Sequence, residues 1–308
     1  MSGTVPSTMV ARALPPRVVV VSRPSERDEL LLRHGTLQQA RFFLESRGQR
    51  LDDVLGRHQI LETALHAVTG ALPGKWRRAR VLRHELDRFL FEPDDVVVVV
   101  GQDGLVANVA KYLRGQPVIG VNPSTALHPG VLVRHAPQAA GDLLAMFARG
   151  ALPCEERTMV RARLGDGQTL VALNEIFVGH RTHQSARYRL AFAGRSERHS
   201  SSGLIVATGT GATGWAKSIA HDRAHAPALP GPLEPALAFL VREAWASVTS
   251  GDSLTDGRIG VGEALRVTSE MNEGGTVFGD GIEADRLELP FGQTVELGCA
   301  EQSMRLAA

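Results

Sequence analysis

The sequence has only two cysteines, Cys154 and Cys299, which lie far apart and match neither a zinc-ligand spacing nor a redox motif. Such sparse cysteine usage is typical of a reducing compartment, so we expect a cytoplasmic location. Long apolar runs are also lacking, since the aliphatic stretch from Val96 to Val100 is far shorter than the roughly 20 residues of a membrane span. We therefore expect no membrane partner.

An excess of one charge is absent as well, because 34 Lys and Arg residues face 33 Asp and Glu residues, for a formal net charge of +1. No global field favours nucleic acid, and the basic stretch at residues 75–83 is interpreted as a solvated face. The 308 residues, 43% of them hydrophobic, are enough for two folded domains. Residues 1–16 contain three prolines and no acidic residue, and we expect them to form a disordered tail.

Several catalytic motifs are missing. The chain contains neither Gly-x-Ser-x-Gly nor Gly-x-x-x-x-Gly-Lys-Ser/Thr, which counts against an α/β-hydrolase and against a P-loop kinase. His180 with His183 and His221 with His225 are spaced like metal ligands, but no neighbouring Cys or acidic set completes either pair. The sequence therefore predicts no metal site.

What the sequence does contain is an alternation of strands and helices in its N-terminal part. Residues 17–22 and 95–100 are continuous β-branched runs, which are typical of parallel strands covered on both faces. The other elements predicted here are helices at residues 36–48, 51–68 and 104–114 and strands at residues 80–82 and 116–121. This order indicates a doubly wound, Rossmann-like α/β domain over residues 17–150.

After residue 150 the pattern changes to short strands separated by Gly and Asp turns, which indicates a β-rich second domain. One helix is predicted at residues 211–220, and the Pro-rich residues 226–235 are expected to be a surface connection. The strands predicted in this part are residues 157–164, 169–178, 188–192, 204–208, 258–260, 264–268 and 286–289. The predicted fold class is thus α/β plus all-β.

The tetrapeptide Gly101-Gln102-Asp103-Gly104 stands where a buried strand ends and a helix begins. Ligands of open α/β sheets bind at this edge, glycines allow the backbone to approach a phosphate, and the following helix amides favour anions. Asp103 at such a place can serve as a general base. The simpler interpretation is a strand-to-helix turn in which Asp103 caps the helix.

The hexapeptide from Gly209 to Gly214 has the form Gly-x-Gly-x-x-Gly and follows a predicted strand. A dinucleotide-binding βαβ unit also needs an acidic residue at the end of the next strand, about 20 residues on. Glu234 lies at that distance but in the Pro-rich connection, so an NAD-dependent oxidoreductase is kept only as a lesser alternative. The pair Asn174-Glu175, predicted within a strand, can bind ribose hydroxyls or simply face water.

The order of these motifs resembles that of the NAD kinase family. Gly101-Gln102-Asp103-Gly104 is followed by Gly120-Val121-Asn122, by Asn174-Glu175 and by Thr208-Gly209-Thr210-Gly211. The family signatures at these points are Gly-Gly-Asp-Gly-Thr, Gly-x-Asn, Asn-Glu and Thr-x-Thr-Gly. The resemblance extends from about Arg17 to the C-terminus. Residues 172–179, 201–211 and 239–243 are most similar to the mitochondrial-type branch of the family.

The resemblance implies an enzyme that transfers the γ-phosphate of ATP, with Mg²⁺, to the adenosine-ribose 2′-hydroxyl of NAD. It implies that Asp103 is the base and that Asn174 and Glu175 hold the acceptor ribose. It also implies a β-sandwich-like, dinucleotide-binding domain at residues 151–292, a segment 293–308 that returns to the first domain, and a homodimer or higher homo-oligomer. The ligand-binding positions carried over are Gly101, Gly104, Asn122, Asn174, Glu175, Thr208, Thr210, Gly211, Thr213, Trp215 and Ser218.

Two residues depart from the family loop, because Gln102 replaces a glycine and Leu105 replaces a threonine. The loop then contacts its ligands differently, or the protein is a related kinase for another hydroxyl, or it is a dinucleotide sensor with little activity. We expect Gln102 to have a negative φ and to direct its amide at the ligand pocket, since a positive φ would cost a non-glycine residue about 1–3 kcal/mol.

Overall fold

The computed structural model describes residues 15–125, 129–225 and 227–308. Most of the tail predicted at residues 1–16 and the first residue of the predicted Pro-rich connection, residue 226, therefore lie outside the described residues. Within the described part of the chain, no helix is long and apolar enough to cross a membrane.

Six α-helices and sixteen strands are described. The helices are α1 (Glu26–His34), α2 (Leu37–Glu45), α3 (Leu51–Gly70), α4 (Asp103–Ala110), α5 (Ala140–Ala148) and α6 (Trp215–His221). The first eight strands are β1 (Arg17–Ser22), β2 (Arg77–Leu82), β3 (Val96–Val100), β4 (Pro117–Val121), β5 (Cys154–Leu164), β6 (Thr169–Ala172), β7 (Glu175–His180) and β8 (Ala186–Phe192). The last eight are β9 (Arg195–Ser201), β10 (Leu204–Thr208), β11 (Leu237–Val241), β12 (Asp256–Ile259), β13 (Leu265–Ser269), β14 (Gly275–Gly279), β15 (Leu287–Glu288) and β16 (Thr294–Ala307).

The N-terminal part is a parallel sheet with helices on both faces. Strands β2, β1, β3 and β4 pair in that order and in parallel. Because successive side chains of a strand point to opposite faces, Val19 and Val97 pack with α4 residues, whereas Val18 and Val98 pack with residues of α3 and α5. Burial on both faces of the sheet explains why the strands are unbroken runs of valine. The predicted doubly wound α/β layer is confirmed.

The C-terminal part is a β-sandwich. One face of its core comes from β5, β8, β13 and β16, and the other from the antiparallel sheet β12-β11-β10-β7-β14-β15. Fully buried side chains such as Tyr188, Phe239 and Ile176 fill the space between the sheets. The predicted α/β plus all-β fold class is confirmed.

Strand β16 joins the two parts. Its end pairs in parallel with β4 through Arg305 and Leu306, its beginning pairs antiparallel with β13, and both its beginning and its end pair antiparallel with β5. A single ten-stranded sheet therefore runs from the α/β layer into the sandwich. The sequence pattern did not predict this strand, nor α1, α5, β9, β11 and β14.

A close contact between chain segments explains the glycine in strand β4. A Cβ at Gly120 would lie 2.0 Å from the carbonyl oxygen of Leu132, so the segment after residue 130 passes directly over β4. His135 N–H donates to the Gly120 oxygen at 3.1 Å and continues this contact. Only a residue without a side chain leaves room for the overlying segment.

We expect Gly120→Ala to lower the free energy of unfolding by about 1–3 kcal/mol, because the added methyl group forces the overlying backbone away. Gly56→Ala is the matched control, since no atom lies within 4 Å of its Cβ position in helix α3. That control is expected to be neutral or stabilising by up to about 1 kcal/mol. Urea denaturation measures both variants, and equal stability of the two would contradict the proposed contact.

Candidate functional site

Asp103 begins helix α4 at the carboxyl end of β3, and its carboxylate holds a second segment of chain in place. Oδ1 accepts hydrogen bonds from the backbone N–H groups of Leu132 at 2.8 Å and Val133 at 2.9 Å, and Oδ2 accepts one from Val131 at 2.9 Å. A carboxylate has about four acceptor sites, so one site of Oδ2 is left for a further partner. Asp103 thus combines a structural role with a free acceptor.

A cleft of about 640 Å³ opens beside this aspartate, and we call it the strand-end cleft. Helices α1 and α3 supply its opposite wall. The predicted site residues that line the cleft are Gly101, Asp103, Gly104 and Asn122. The structure therefore brings the first two family-like motifs to one edge of the sheet.

Asn122 follows β4 and shapes the next turn of chain along the cleft. Its backbone N–H donates to the His135 oxygen at 2.8 Å, and its side-chain Oδ1 accepts a hydrogen bond from the Ser124 N–H at 3.0 Å. Asn122 is 4% exposed. The Asn122 side chain therefore stabilises a local turn at the carboxyl end of β4.

The loop accommodates both departures from the family signature. Gln102 has φ −108° and ψ 163°, which is unstrained extended backbone, and its Oε1 accepts a hydrogen bond from Arg23 at 3.1 Å. Gln102 lines the strand-end cleft, as expected. Leu105 points into the core and is 4% exposed, with its Cδ2 3.2 Å from the Cβ position of Gly101. The leucine thus packs beneath the loop and contributes no polar group to the cleft.

The predicted strand at residues 169–178 is wrong, because the chain leaves one sheet and enters the other there. Strand β6 ends before Leu173, and β7 begins at Glu175 in the opposite sheet. At the crossing, the backbone N–H groups of Leu173, Asn174 and Glu175 donate to the carboxylate of Asp280 at 2.9, 2.7 and 3.3 Å. The Asp280 carboxylate thus accepts the hydrogen bonds that, in a continuous strand, these backbone N–H groups would donate to a neighbouring strand.

Thr208 holds a second loop against the same crossing. Its hydroxyl donates to the Leu173 oxygen at 2.6 Å and accepts hydrogen bonds from the N–H groups of Thr210 and Gly211, each at 3.1 Å. A Cβ at Gly211 would lie 2.1 Å from the Asn174 oxygen, so glycine is required where the loops touch. The Asn-Glu and Thr-x-Thr-Gly motifs therefore form one cluster.

Asp280 was missed by the sequence analysis. It follows β14, which was not predicted, and it has a positive φ of 52°, which few non-glycine residues adopt. The available signal was the pair Asp280-Gly281, which repeats the Asp-Gly order of Asp103-Gly104 at the end of a strand. The strand itself, Gly275–Gly279, begins and ends in glycine and lacks a clear strand pattern.

Two carboxyl groups meet in this second cluster. Burial, together with the nearby charge of Asp280, raises the pKa of Glu175 to about 7. Burial also raises the pKa of Asp280 to about 6, although the three backbone N–H groups oppose the shift. A proton is therefore held in this cluster at pH values at which an exposed carboxyl group has lost it.

Helix α4 connects the two clusters. Asp103 is its first residue, and Asn108, five residues later, places its amide nitrogen 3.5 Å from the backbone oxygen of Asp280. Five residues of α-helix rise by about 7.5 Å. Asp103 stands at one end of this short helix, and the Glu175–Asp280 pair contacts it about one and a half turns further along.

Trp215, Thr213 and Ser218 follow the second loop. The Trp215 ring stacks on Phe177 at a centroid distance of 6.1 Å, and the guanidinium carbon of Arg242 lies 5.0 Å from the Trp215 centroid. The Thr213 hydroxyl donates to the Thr210 oxygen at 2.9 Å, and Ser218 is exposed on α6. The helix predicted at residues 211–220 is a short 3₁₀ turn followed by α6.

The Gly-x-Gly-x-x-Gly segment has no βαβ context. Its strand, β10, lies in an antiparallel sheet between β7 and β11. A Cβ at Gly209 would lie 1.8 Å from the Gly231 oxygen, so this glycine, like Gly211, permits contact between chain segments. The oxidoreductase alternative is therefore not favoured.

No family model matches the chain, but several curated proteins are similar to it in sequence. An NAD kinase of Methylococcus capsulatus is 38% identical over 135 residues, which cover 40% of this chain and 44% of that protein. An NAD kinase of Nitrosococcus oceani is 32% identical over 193 residues, which cover 59% of each protein. The homologues of this chain are NAD kinases. The chain spans about half the length of the curated relatives that it matches.

Solved structures of NAD and NADH kinases share the fold. Yeast NADH kinase complexed with NADH superposes with a TM-score of 0.61 at 14% identity, covering 96% of this chain and 84% of that one. An NAD kinase from Archaeoglobus fulgidus in complex with ATP superposes with a TM-score of 0.56 at 19% identity, covering 95% and 93%. At these identities the likeness establishes the fold of this chain.

The Glu175–Asp280 pair predicts a pH-dependent stability. Both pKa values are raised in the folded state, so folding retains protons that the unfolded chain has already released. This contribution is favourable below about pH 4 and is lost as the pH rises to about 7. Relative to Glu175→Gln, we expect the parent to lose on the order of 1–3 kcal/mol of stability over this window.

Denaturation midpoints between pH 4 and pH 8 measure the difference. Glu273→Gln, which changes an exposed glutamate of the same part of the chain, is the control and is expected to follow the parent's pH profile. If the parent and Glu175→Gln have parallel profiles, the two carboxyl groups are not coupled as the geometry indicates.

Proposed function

We propose that this protein is an ATP-dependent NAD kinase, which transfers the γ-phosphate of ATP to the adenosine-ribose 2′-hydroxyl of NAD and produces NADP. The observation that carries the proposal is Asp103, which keeps a free acceptor site in the strand-end cleft and begins the helix that reaches the cluster of Asn174, Glu175 and Asp280. The NAD kinase homologues support the same assignment. A base at the junction of two binding regions suits transfer of a group from one ligand to another.

The donor phosphates fit the strand-end cleft. Gly101 and Gly104 leave the backbone accessible, the first amides of α4 favour an anion, and Arg23 and Arg57 line the same cleft. No set of three metal-binding side chains occurs within the described ranges. We therefore propose that Mg²⁺ arrives with ATP, held chiefly by the phosphate oxygens, as is common for this ion.

The acceptor fits the second cluster. In our proposal Asn174 and Glu175 bind the adenosine ribose. The residues that contact the rest of the adenosine half are Thr210, Thr213, Trp215 and Ser218. The Thr208 hydroxyl fixes the loop that carries these residues, and Gly211 permits its contact with Asn174. The side chains are then positioned by the crossing between the two sheets.

In the proposed reaction the 2′-hydroxyl gives its proton to the free site of Asp103 Oδ2. The hydroxyl oxygen forms a bond to the γ-phosphorus, the bond from that phosphorus to the β,γ-bridging oxygen breaks, and ADP leaves. Because positioning and charge stabilisation supply most of the catalysis in phosphoryl transfer, the fixed orientation of Asp103 suits this step.

The remaining expectations extend the same proposal. We propose that residues 17–150 bind the donor, that residues 151–292 bind the dinucleotide, and that residues 293–308 tie the two together. We also propose a homo-oligomer that acts in the cytoplasm. Size-exclusion chromatography with light scattering measures the oligomeric state directly.

We expect the purified protein, incubated with ATP, Mg²⁺ and NAD, to form NADP that is detected by mass spectrometry. NADH, other nucleosides and sugars are offered in parallel as acceptors. Turnover of another hydroxyl compound with none of NAD would support the related-kinase alternative. Calorimetric binding of NAD without any product would support the sensor alternative and contradict the proposed activity.

We expect Asp103→Asn to lower turnover about 10²–10⁴-fold, because it removes the proton acceptor. It also replaces an acceptor oxygen of the hydrogen bonds to residues 131–133, so unfolding and NAD affinity are measured alongside turnover. Asp142→Asn, an exposed aspartate in the first turn of α5, is the control and should retain parental turnover. Turnover of a folded Asp103→Asn variant within about twofold of the parent would remove Asp103 from the role of base, because that change is far below the expected range.

A further inference from the structure

The outer face of the second sheet carries a cleft that the proposed reaction uses only at Trp215. This cleft, of about 660 Å³, lies among the end of β7, the antiparallel strand β14 beside it, the start of α6 and the end of β11. We call it the arginine cleft, after Arg181, Arg242 and Arg286, which line it. Trp215 belongs both to its wall and to the predicted acceptor site, so the two regions are continuous.

The charge in the arginine cleft is unbalanced. Three guanidinium groups line it, and Glu283 is the one carboxylate among the lining residues that the structure describes. Within the described part of the chain, the Arg181 guanidinium has no hydrogen bond or ion pair. Arg286 donates only to the Glu283 backbone oxygen at 3.4 Å, and Arg242 is 3.7 Å from the carboxylate of Glu243. The cleft therefore has unused capacity for an anion.

A buried hydroxyl in the cleft also lacks a partner. Thr276 is 2% exposed, and its Oγ1 has no hydrogen-bond partner among the described residues. The next residue, Val277, lies in the core between the sheets, so Thr276 and Phe278 face the outer side of the sheet. A buried unpaired polar group is destabilising unless something else supplies the hydrogen bond. A ligand oxygen in the cleft would supply it.

His180 adds a donor of the same kind. Its Nδ1 accepts a hydrogen bond from the Thr182 N–H at 3.1 Å, which leaves the proton of the neutral ring on Nε2. Nε2 is buried and has no partner among the described residues. Like Thr276, His180 lines the arginine cleft. Both orphaned atoms can donate to an oxygen-rich anion.

Aromatic rings form one wall of the cleft. Trp215 and Phe177 are stacked with an interplanar angle of 15°, and Phe278 lies 4.9 Å from Phe177 between ring centroids. Guanidinium groups bind phosphate oxygens in pairs, and flat apolar rings bind a heterocycle or a sugar face. An inorganic anion has no ring that could pack on these aromatic side chains, whereas a nucleotide carries both a phosphate and rings.

We propose that the arginine cleft binds the phosphate of a nucleotide, with Arg181 and Arg286 contacting the phosphate and the Thr276 hydroxyl donating a hydrogen bond to one of its oxygens. The nucleotide is either the half of NAD that lies beyond the reacting ribose or a separate nucleotide. If the nucleotide is the distant half of NAD, the arginine cleft is an extension of the proposed acceptor site. This case rests on the proposed function, because it requires NAD to be the acceptor.

The test is calorimetric titration of the parent and of the Arg181→Gln/Arg286→Gln double variant with NAD, ATP and adenosine. Binding is measured without turnover, so an inactive enzyme does not obscure the result. Arg163→Gln/Arg187→Gln is the matched control, because it removes two exposed arginines from the far, solvent-exposed face of the sandwich. Circular dichroism and urea denaturation check the fold of each variant.

If the cleft holds the distant half of NAD, the double variant binds NAD at least about tenfold more weakly, while adenosine affinity and the control variant are unchanged. If it holds a separate nucleotide, NAD affinity is unchanged, and a second ATP-binding event seen with the parent disappears. Unchanged NAD affinity together with unchanged ATP stoichiometry overturns the proposal.

Thr276→Val provides an independent check. We expect it to lower affinity for the same nucleotide by about two- to tenfold, the effect of one hydrogen bond, and to leave the denaturation midpoint unchanged or higher. Thr276→Ser, which keeps the hydroxyl, should retain the parental affinity. A loss of stability without any change of affinity would show that Thr276 has only a packing role and would contradict the proposal.

Discussion

The candidate site depends on two aspartates that each bind three successive backbone N–H groups. Asp103 binds the amides of residues 131–133, and Asp280 binds those of residues 173–175. In both places the chain has left its sheet, so the amides have no neighbouring strand to bind. A carboxylate can accept hydrogen bonds from several donors at once. Removing either aspartate carboxylate would therefore leave backbone N–H groups without partners. The polypeptide around the proposed reaction is therefore organised by side-chain acceptors.

The two aspartates differ in what surrounds them, and this difference suits different tasks. Asp103 opens onto a cleft beside the start of a helix and retains a free acceptor site. Asp280 is enclosed near a second carboxyl group, and its three amide donors offset only part of the cost of burying its charge. A ligand rich in hydroxyl donors, such as a ribose, would relieve the repulsion between Glu175 and Asp280. In the proposed reaction, Asp103 would be the acceptor for proton transfer, and Glu175 would bind the ribose.

The altered loop sequence is compatible with the fold. Gln102 replaces a glycine without strain because the backbone at this position is extended, and Arg23 binds its side-chain oxygen. Leu105 stands where the family signature has a threonine, and its buried apolar side chain packs in the core beneath α4 and offers no hydroxyl to the cleft. A phosphate in the cleft would have to be bound by groups other than a threonine hydroxyl at position 105. Arg57 of α3 and Arg23 of the loop after β1 line the same cleft.

The sequence by itself determined the α/β layer and most of the candidate residues. Continuous valine runs in β1 and β3 require burial on both faces, and the motifs around Asp103 and Asn174 keep a recognisable order along the chain. Strand β14 and the long strand β16 were not predicted, because the first is only five residues long with glycine at both ends and the second has no regular alternation of polar and apolar residues. Only the tertiary structure decided that residues 173–175 cross between sheets and that Asp280, more than 100 residues away, binds them. Such a contact leaves no periodic pattern, since it depends on how two sheets are placed in space and not on the spacing of neighbouring residues.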